Sequence, residues 1–179
     1  MDFRNYYWLE SYLFDTVRLR FAQQHCLDAF DFFCIVIWKA NRAKSKIARK
    51  LLIPEVRNLD EAVRVITWGL AQQSNAKDRL HYLWNGGFNL PMASAILTVL
   101  YPDEFTVYDE RVCDMLGGFH NLKSLSKFEA LWRSYQDFKR KVEETAPPEL
   151  SLRDKDRYLW GKSFYEQLTK DIKLGFKKK

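Results

Sequence analysis

Residues 77–100 read KDRLHYLWNGGFNLPMASAILTVL, and this stretch decides the fold. Lys77 to Trp84 places Leu80, Leu83 and Trp84 at helical spacing, which predicts a helix with those three turned inward. Asn85-Gly86-Gly87-Phe88-Asn89 breaks it, because two glycines and two asparagines tolerate positive φ. Pro91 suits the first turn of a second helix, and Met92 to Leu100 supplies small residues followed by aliphatics. Ala93, Ser94 and Ala95 let another backbone come close. Tyr101-Pro102-Asp103 ends that helix, Phe105-Thr-Val-Tyr108 is predicted to be extended, and Asp109 opens a helix from Glu110 to Leu116. Two short helices joined by a tight hairpin expose backbone N–H groups at a helix start, where a phosphate can bind without side-chain charge. Such contacts position a duplex and read no sequence. An ordinary helix–helix turn also accounts for Gly86-Gly87, and an N-cap role accounts for Asp109.

The rest of the chain reads as helices with short breaks and no internal repeat. Residues 5–23 and 28–40 are dense in aromatic and aliphatic side chains, and Ala29 to Trp38 reads as a central buried helix. Lys39 to Lys50 holds six positive charges and no acid. As one helix it would set Lys39, Arg42, Lys46, Arg49 and Lys50 near one face, with Ala43, Ile47 and Leu51 near another. Asn58 with Glu61 and Ser126 with Glu129 have capping-box spacing, and Ser151 with Asp154 has the same polar spacing. Phe128, Leu131, Trp132, Tyr135, Phe138 and Val142 make an apolar stripe, ended at Ala146-Pro-Pro148. The next helix is expected to bury Leu159, Trp160, Phe164 and Leu168.

Composition narrows the class. Hydrophobic residues make up 47% of 179 and the aromatics number 28, enough for a packed core. Glycine and proline total 12, too few for the turns of a sandwich or barrel, so an all-α fold is expected. The longest apolar run, about Phe32 to Trp38, is far short of the roughly 20 residues that span a bilayer. No membrane partner is expected. The start lacks the basic head and apolar stretch of a signal peptide, which points to the cytoplasm, or to the nucleus in a eukaryote. Cys26, Cys34 and Cys113 form no C-x-x-C pair, and buried free thiols are expected rather than a metal site or disulfide framework. Net charge is +6, of which Lys170 to Lys179 supplies +4. A basic face and a basic tail suit a polyanion, and a solvated helix with a solubilising tail is the alternative.

Leu83 to Leu97, followed by Pro102 and Phe105-Thr-Val-Tyr-Asp109-Glu-Arg-Val112, resembles the helix-hairpin-helix DNA glycosylase superfamily. That family's hairpin reads roughly L-P-G-V-G-x-x-T-A-x-x-I-L and precedes P-V-D-T-H-V with a catalytic Asp. Gly87-Phe88-Asn89 matches the G-V-G turn, and Asp109 falls on the catalytic Asp. Trp38-Lys39 and Leu150 to Asp154 with Leu159-Trp160 look similar to a poorly characterised branch. The resemblance implies a two-lobed helical bundle over residues 1–169, with the hairpin motif at 77–100 and a basic tail at 170–179. It implies double-stranded DNA as partner, nucleoid association in a bacterium, and no cofactor beyond a monovalent cation on the hairpin backbone; the sequence leaves the oligomeric state open, with a monomer the default. Gly86, Gly87, Phe88, Asn89, Lys39, Arg42 and Arg111 would touch DNA, and Asp109 would serve hydrolysis of an N-glycosidic bond. The base would be flipped into an aromatic-lined pocket; the sequence does not say which of Trp8, Tyr12, Trp38, Trp68 or Tyr108 would line it, and most of these are expected to be core. Pro91 stands where strand-cutting members carry a lysine, and proline cannot form a Schiff base. The expectation is a monofunctional glycosylase. The alternatives are a helix-hairpin-helix DNA-binding protein without catalysis and an α-helical protein-interaction module.

Overall fold

The computed structural model describes residues 3–176, and these are helical with no strand among them. The Lys177–Lys179 end of the expected basic tail lies outside the described residues. The chain divides into two compact units, Met1–Pro102 and Asp103–Lys179.

In the first unit a 3-10 turn, Phe3–Tyr6, leads into α1 (Leu9–Tyr12), a π-helical segment (Leu13–Val17) and α2 (Arg18–Gln24). Then come α3 (Ala29–Ala40), a 3-10 turn (Asn41–Ala43), α4 (Lys44–Leu51), α5 (Leu59–Ala71), α6 (Ala76–Asn85) and α7 (Leu90–Leu100). The most enclosed helix is α7, buried at every position but Pro91 and packed on α2, α3 and α6. Its small residues permit that crowding. Its two hydroxyls bond within the helix, Ser94 Oγ to the Pro91 carbonyl at 3.3 Å and Thr98 Oγ1 to the Ser94 carbonyl at 2.8 Å. Helix α3 buries Phe32, Ile35 and Val36 but leaves Phe30 and Ile37 exposed, so it is less central than its composition suggests. One carboxylate is enclosed with it. Asp31 accepts from Tyr12 Oη at 2.6 Å and from Arg20 Nη1 at 2.9 Å. Burial, reinforced by this hydrogen bond to Asp31, pushes the Tyr12 hydroxyl well above its ordinary range.

The second unit opens with the extended 103–108 segment and continues with α8 (Glu110–Leu116), a 3-10 turn (His120–Ser124), α9 (Phe128–Thr145) and α10 (Leu152–Lys173). Phe105 to Tyr108 is wholly buried. Tyr135 on α9 holds it from one side, its hydroxyl donating to the Thr106 carbonyl at 2.7 Å and accepting the Thr106 N–H at 3.1 Å. Asp156 on α10 accepts from the Val107 N–H at 3.1 Å and pairs with Arg153 at 2.7 Å. Around this clamp sit Phe105, Tyr108, Phe119 and Phe138 in edge and stacked contacts.

Three local expectations change. Ser126 does not cap α9: Lys127 occupies the cap position, with no side-chain bond. Asn58 and Ser151 do cap α5 and α10, accepting from Glu61 and Asp154 N–H respectively. Helix α10 buries Arg153, Asp156, Leu159 and Ser163, while Trp160 and Phe164 are 43% and 46% exposed and Leu168 is exposed as well. The face that turns inward carries the polar groups that hold 106–107. The helix also runs to Lys173, past residue 169 where the sequence starts a tail.

The thiols are free, Cys34 and Cys113 buried and Cys26 half-buried. Burial pushes both Cys34 and Cys113 up to about 11, so at pH 8 neither forms appreciable thiolate. A disulfide-exchange reagent at pH 8 is expected to label Cys26 first, and the other two only once denaturant is added. Rapid labelling of native Cys113 would contradict this packing.

Candidate nucleic-acid interface

The turn between α6 and α7 is built by one glycine and one asparagine. Gly87 has φ +79, the left-handed region that favours glycine. Gly86 has φ −67 and Asn89 has φ −70, so neither needs the positive φ allowed for them in the sequence reading. Asn89 instead caps α7, its side chain accepting from Met92 N–H at 3.2 Å. The N–H groups of Gly86, Gly87 and Phe88 fold back onto the Tyr82, Trp84 and Leu83 carbonyls at 3.0, 2.9 and 3.0 Å. Those of Asn89 and Leu90 have no partner among the described residues. Phe88 is 3% exposed, its ring 6.2 Å from Phe32. It anchors the turn in the core and is also among the residues lining the cleft beside the turn.

The basic run Lys39 to Lys50 is not one helix. Ala40, at φ −162 and ψ 87, separates α3 from the 3-10 turn, and α4 starts afresh at Lys44. Within α4, Ile47 and Leu51 are buried, as their spacing predicts. This break folds the run around the hairpin and leaves a cleft of about 190 Å³ between them. Lys39, Lys46 and Lys50 line it together with Ala40, Ala43 and Ile47 on one side; Gly87, Phe88, Asn89, Pro91 and Met92 line the other, so the lysines rim a largely apolar floor. Its volume is below the roughly 300–1,000 Å³ of small-molecule sites, a size suited to one small anionic group. Three ammonium groups and the N-terminus of α7 give it a positive field.

The structure thus brings Lys39 to the hairpin, half-buried. Arg42 lies exposed on the 3-10 turn and is not among the residues lining the cleft. Lys46 and Lys50 were read only as part of a charged run, and they join the cleft because α4 is set at its own angle. Lys50 Nζ donates to the carbonyl of Gly87, the residue at which the resemblance implies a monovalent cation.

In the second unit, Asp109 is the N-cap of α8, with φ −136 and ψ 142, and accepts from Arg111 N–H at 3.0 Å. The clamp of Tyr135 and Asp156 on residues 106–107 fixes the backbone just before it. Arg111 lies over the stacked rings of Trp160 and Phe164, at 5.4 and 5.8 Å from their centroids, and reaches Gln167 at 3.3 Å. Of the aromatics proposed for a base pocket, Tyr12 and Tyr108 are buried in their cores, Trp38 packs edge-on against Phe14, and Trp8 and Trp68 are exposed. No group of three or more His, Cys, Asp or Glu able to hold a metal occurs among the described residues, and no described helix is long and apolar enough to cross a membrane. In comparisons with known protein families, curated proteins and solved structures, the chain matches none of them.

Proposed function

We propose that the protein binds double-stranded DNA by its sugar–phosphate backbone at the hairpin cleft and hydrolyses the N-glycosidic bond of a damaged base with Asp109. The observation that carries the reading is the cleft itself. Lysines from two helices converge on a glycine turn and a capped helix start, which is how a protein holds a phosphate without reading sequence. The helix-hairpin-helix resemblance supplies the class of partner and reaction.

For the chemistry, the Asp109 carboxylate would stabilise the oxocarbenium-like sugar or orient the attacking water. Pro91 sits in the first turn of α7 and offers no amine, so no Schiff base forms through that position and base release without strand cutting is expected. A second reading has its own support: the Asp109 carboxylate already works as a helix cap, as it would in a DNA-binding protein without catalysis.

The experiment is base release from duplexes carrying alkylated, oxidised, deaminated or mismatched bases, with strand breaks scored before and after alkali. Release with breaks appearing only after alkali is expected. Release from none of these duplexes, with duplex binding intact, would leave the non-catalytic reading.

A further inference from the structure

Lys50 reaches across 37 positions of sequence to bond the Gly87 carbonyl. Its stem also lies along the bare face of that glycine. A Cβ at position 87 would stand 2.8 Å from Lys50 Nζ and 3.2 Å from its Cε. Gly87 therefore does two things, taking φ +79 and leaving room for the lysine. Both partners are anchored. The root of Lys50 is set by Ile47 and Leu51, buried on the same helix. The Gly87–Phe88 peptide is set by the Phe88 N–H on the Leu83 carbonyl at 3.0 Å and by the buried Phe88 ring.

We infer that Lys50 is the hairpin's own cation: its ammonium holds the Gly87 carbonyl, positions the turn for a backbone phosphate, and replaces a bound metal ion there. A carbonyl oxygen at the mouth of an anion site presents the negative end of its dipole to the incoming phosphate. An ammonium fixed on it reverses that local field. The oxygen has a second lone pair, but an alkali ion using it would lie against a fixed positive charge, and like charges in contact repel. Lys50 is thus a positioning residue, whereas Lys46, exposed on α4, meets the backbone. The inference rests on the reading of the cleft as a DNA-backbone site.

The test compares wild type, Lys50→Met and Lys46→Met in binding an undamaged duplex over a range of salt, in potassium and in tetramethylammonium chloride. Lys50→Met is expected to weaken binding about fivefold to tenfold, with the log–log slope reduced by less than in Lys46→Met. Lys46→Met is expected to reduce the slope by about 0.9, the value for one lost phosphate contact. Wild-type affinity is expected to be the same in the two salts at equal ionic strength. A loss of slope in Lys50→Met equal to that in Lys46→Met would make Lys50 a phosphate contact and overturn the inference. Wild-type affinity that follows the identity of the cation would overturn it too. Amide hydrogen exchange of the free proteins decides the role without DNA. Gly87 and Phe88 should exchange faster in Lys50→Met than in wild type, and not in Lys46→Met; equal rates in all three would refute the inference. Absence of any salt-dependent binding by wild type would instead defeat the DNA reading, with the exchange result still deciding what Lys50 does.

Discussion

Replacing Asp156 by alanine is expected to destabilise the second unit by about 3–5 kcal/mol, the usual consequence of removing one partner of a buried ion pair. Arg153 and Asp156 are both nearly buried, with side chains 10% and 7% exposed, so water cannot replace the lost carboxylate. The same substitution strips the Val107 N–H of its acceptor inside the core. Asp156→Asn keeps an acceptor for that N–H and removes only the charge, so it should fall between wild type and alanine. Urea unfolding followed by tryptophan fluorescence measures this, since Trp132 and Trp160 both lie in this unit. A loss below about 1 kcal/mol for the alanine variant would show that the clamp on residues 106–107 is not what holds the segment before Asp109.

Asp109→Asn is expected to reduce base release by about 10²–10⁴-fold while leaving folding and duplex affinity close to wild type. The choice of asparagine matters. It caps helices as well as aspartate does, so the bond to the Arg111 N–H survives and only the carboxylate charge is lost. Melting temperature and single-turnover base release, measured side by side, separate the two roles. Activity lost in step with stability would assign Asp109 to capping alone.

Much of this architecture was legible because it is local. Helices α6 and α7, the break between them, the proline in the first turn and the cap at Asp109 follow from spacing and turn chemistry within a few residues. What escaped depends on distant partners. The stretch from Lys39 to Lys50 contains no glycine or proline, and nothing in it marks Ala40 as a break; the burial of Ile47 and Leu51 gives α4 its separate direction. Lys50 meets Gly87 across 37 positions, a pairing no periodicity reveals. Helix α10 misled for a related reason. Its apolar residues suggested the inward face, yet Arg153 and Asp156 face inward, because their charges satisfy each other and the carboxylate accepts from the Val107 N–H. Phe88 looked like part of a DNA-facing loop and is a core anchor, since an aromatic ring at a tight turn is stabilised more by burial than by exposure.

The claim on which everything else rests is that the hairpin cleft holds a DNA backbone. Equilibrium binding of an undamaged duplex from 50 to 300 mM salt, wild type beside Gly87→Asp, tests it most directly. Aspartate tolerates positive φ, so the turn can persist, while the added carboxylate projects among the lysines of the cleft. Wild-type affinity is expected to fall linearly in log–log salt, with a slope near −2 or steeper from Lys39, Lys46 and further backbone contacts. Gly87→Asp is expected to bind at least tenfold more weakly at low salt while remaining folded, with a melting temperature lowered by the strain of a side chain at φ +79 and by the displacement of Lys50. A flat salt response, or equal affinity of the two proteins, would contradict it.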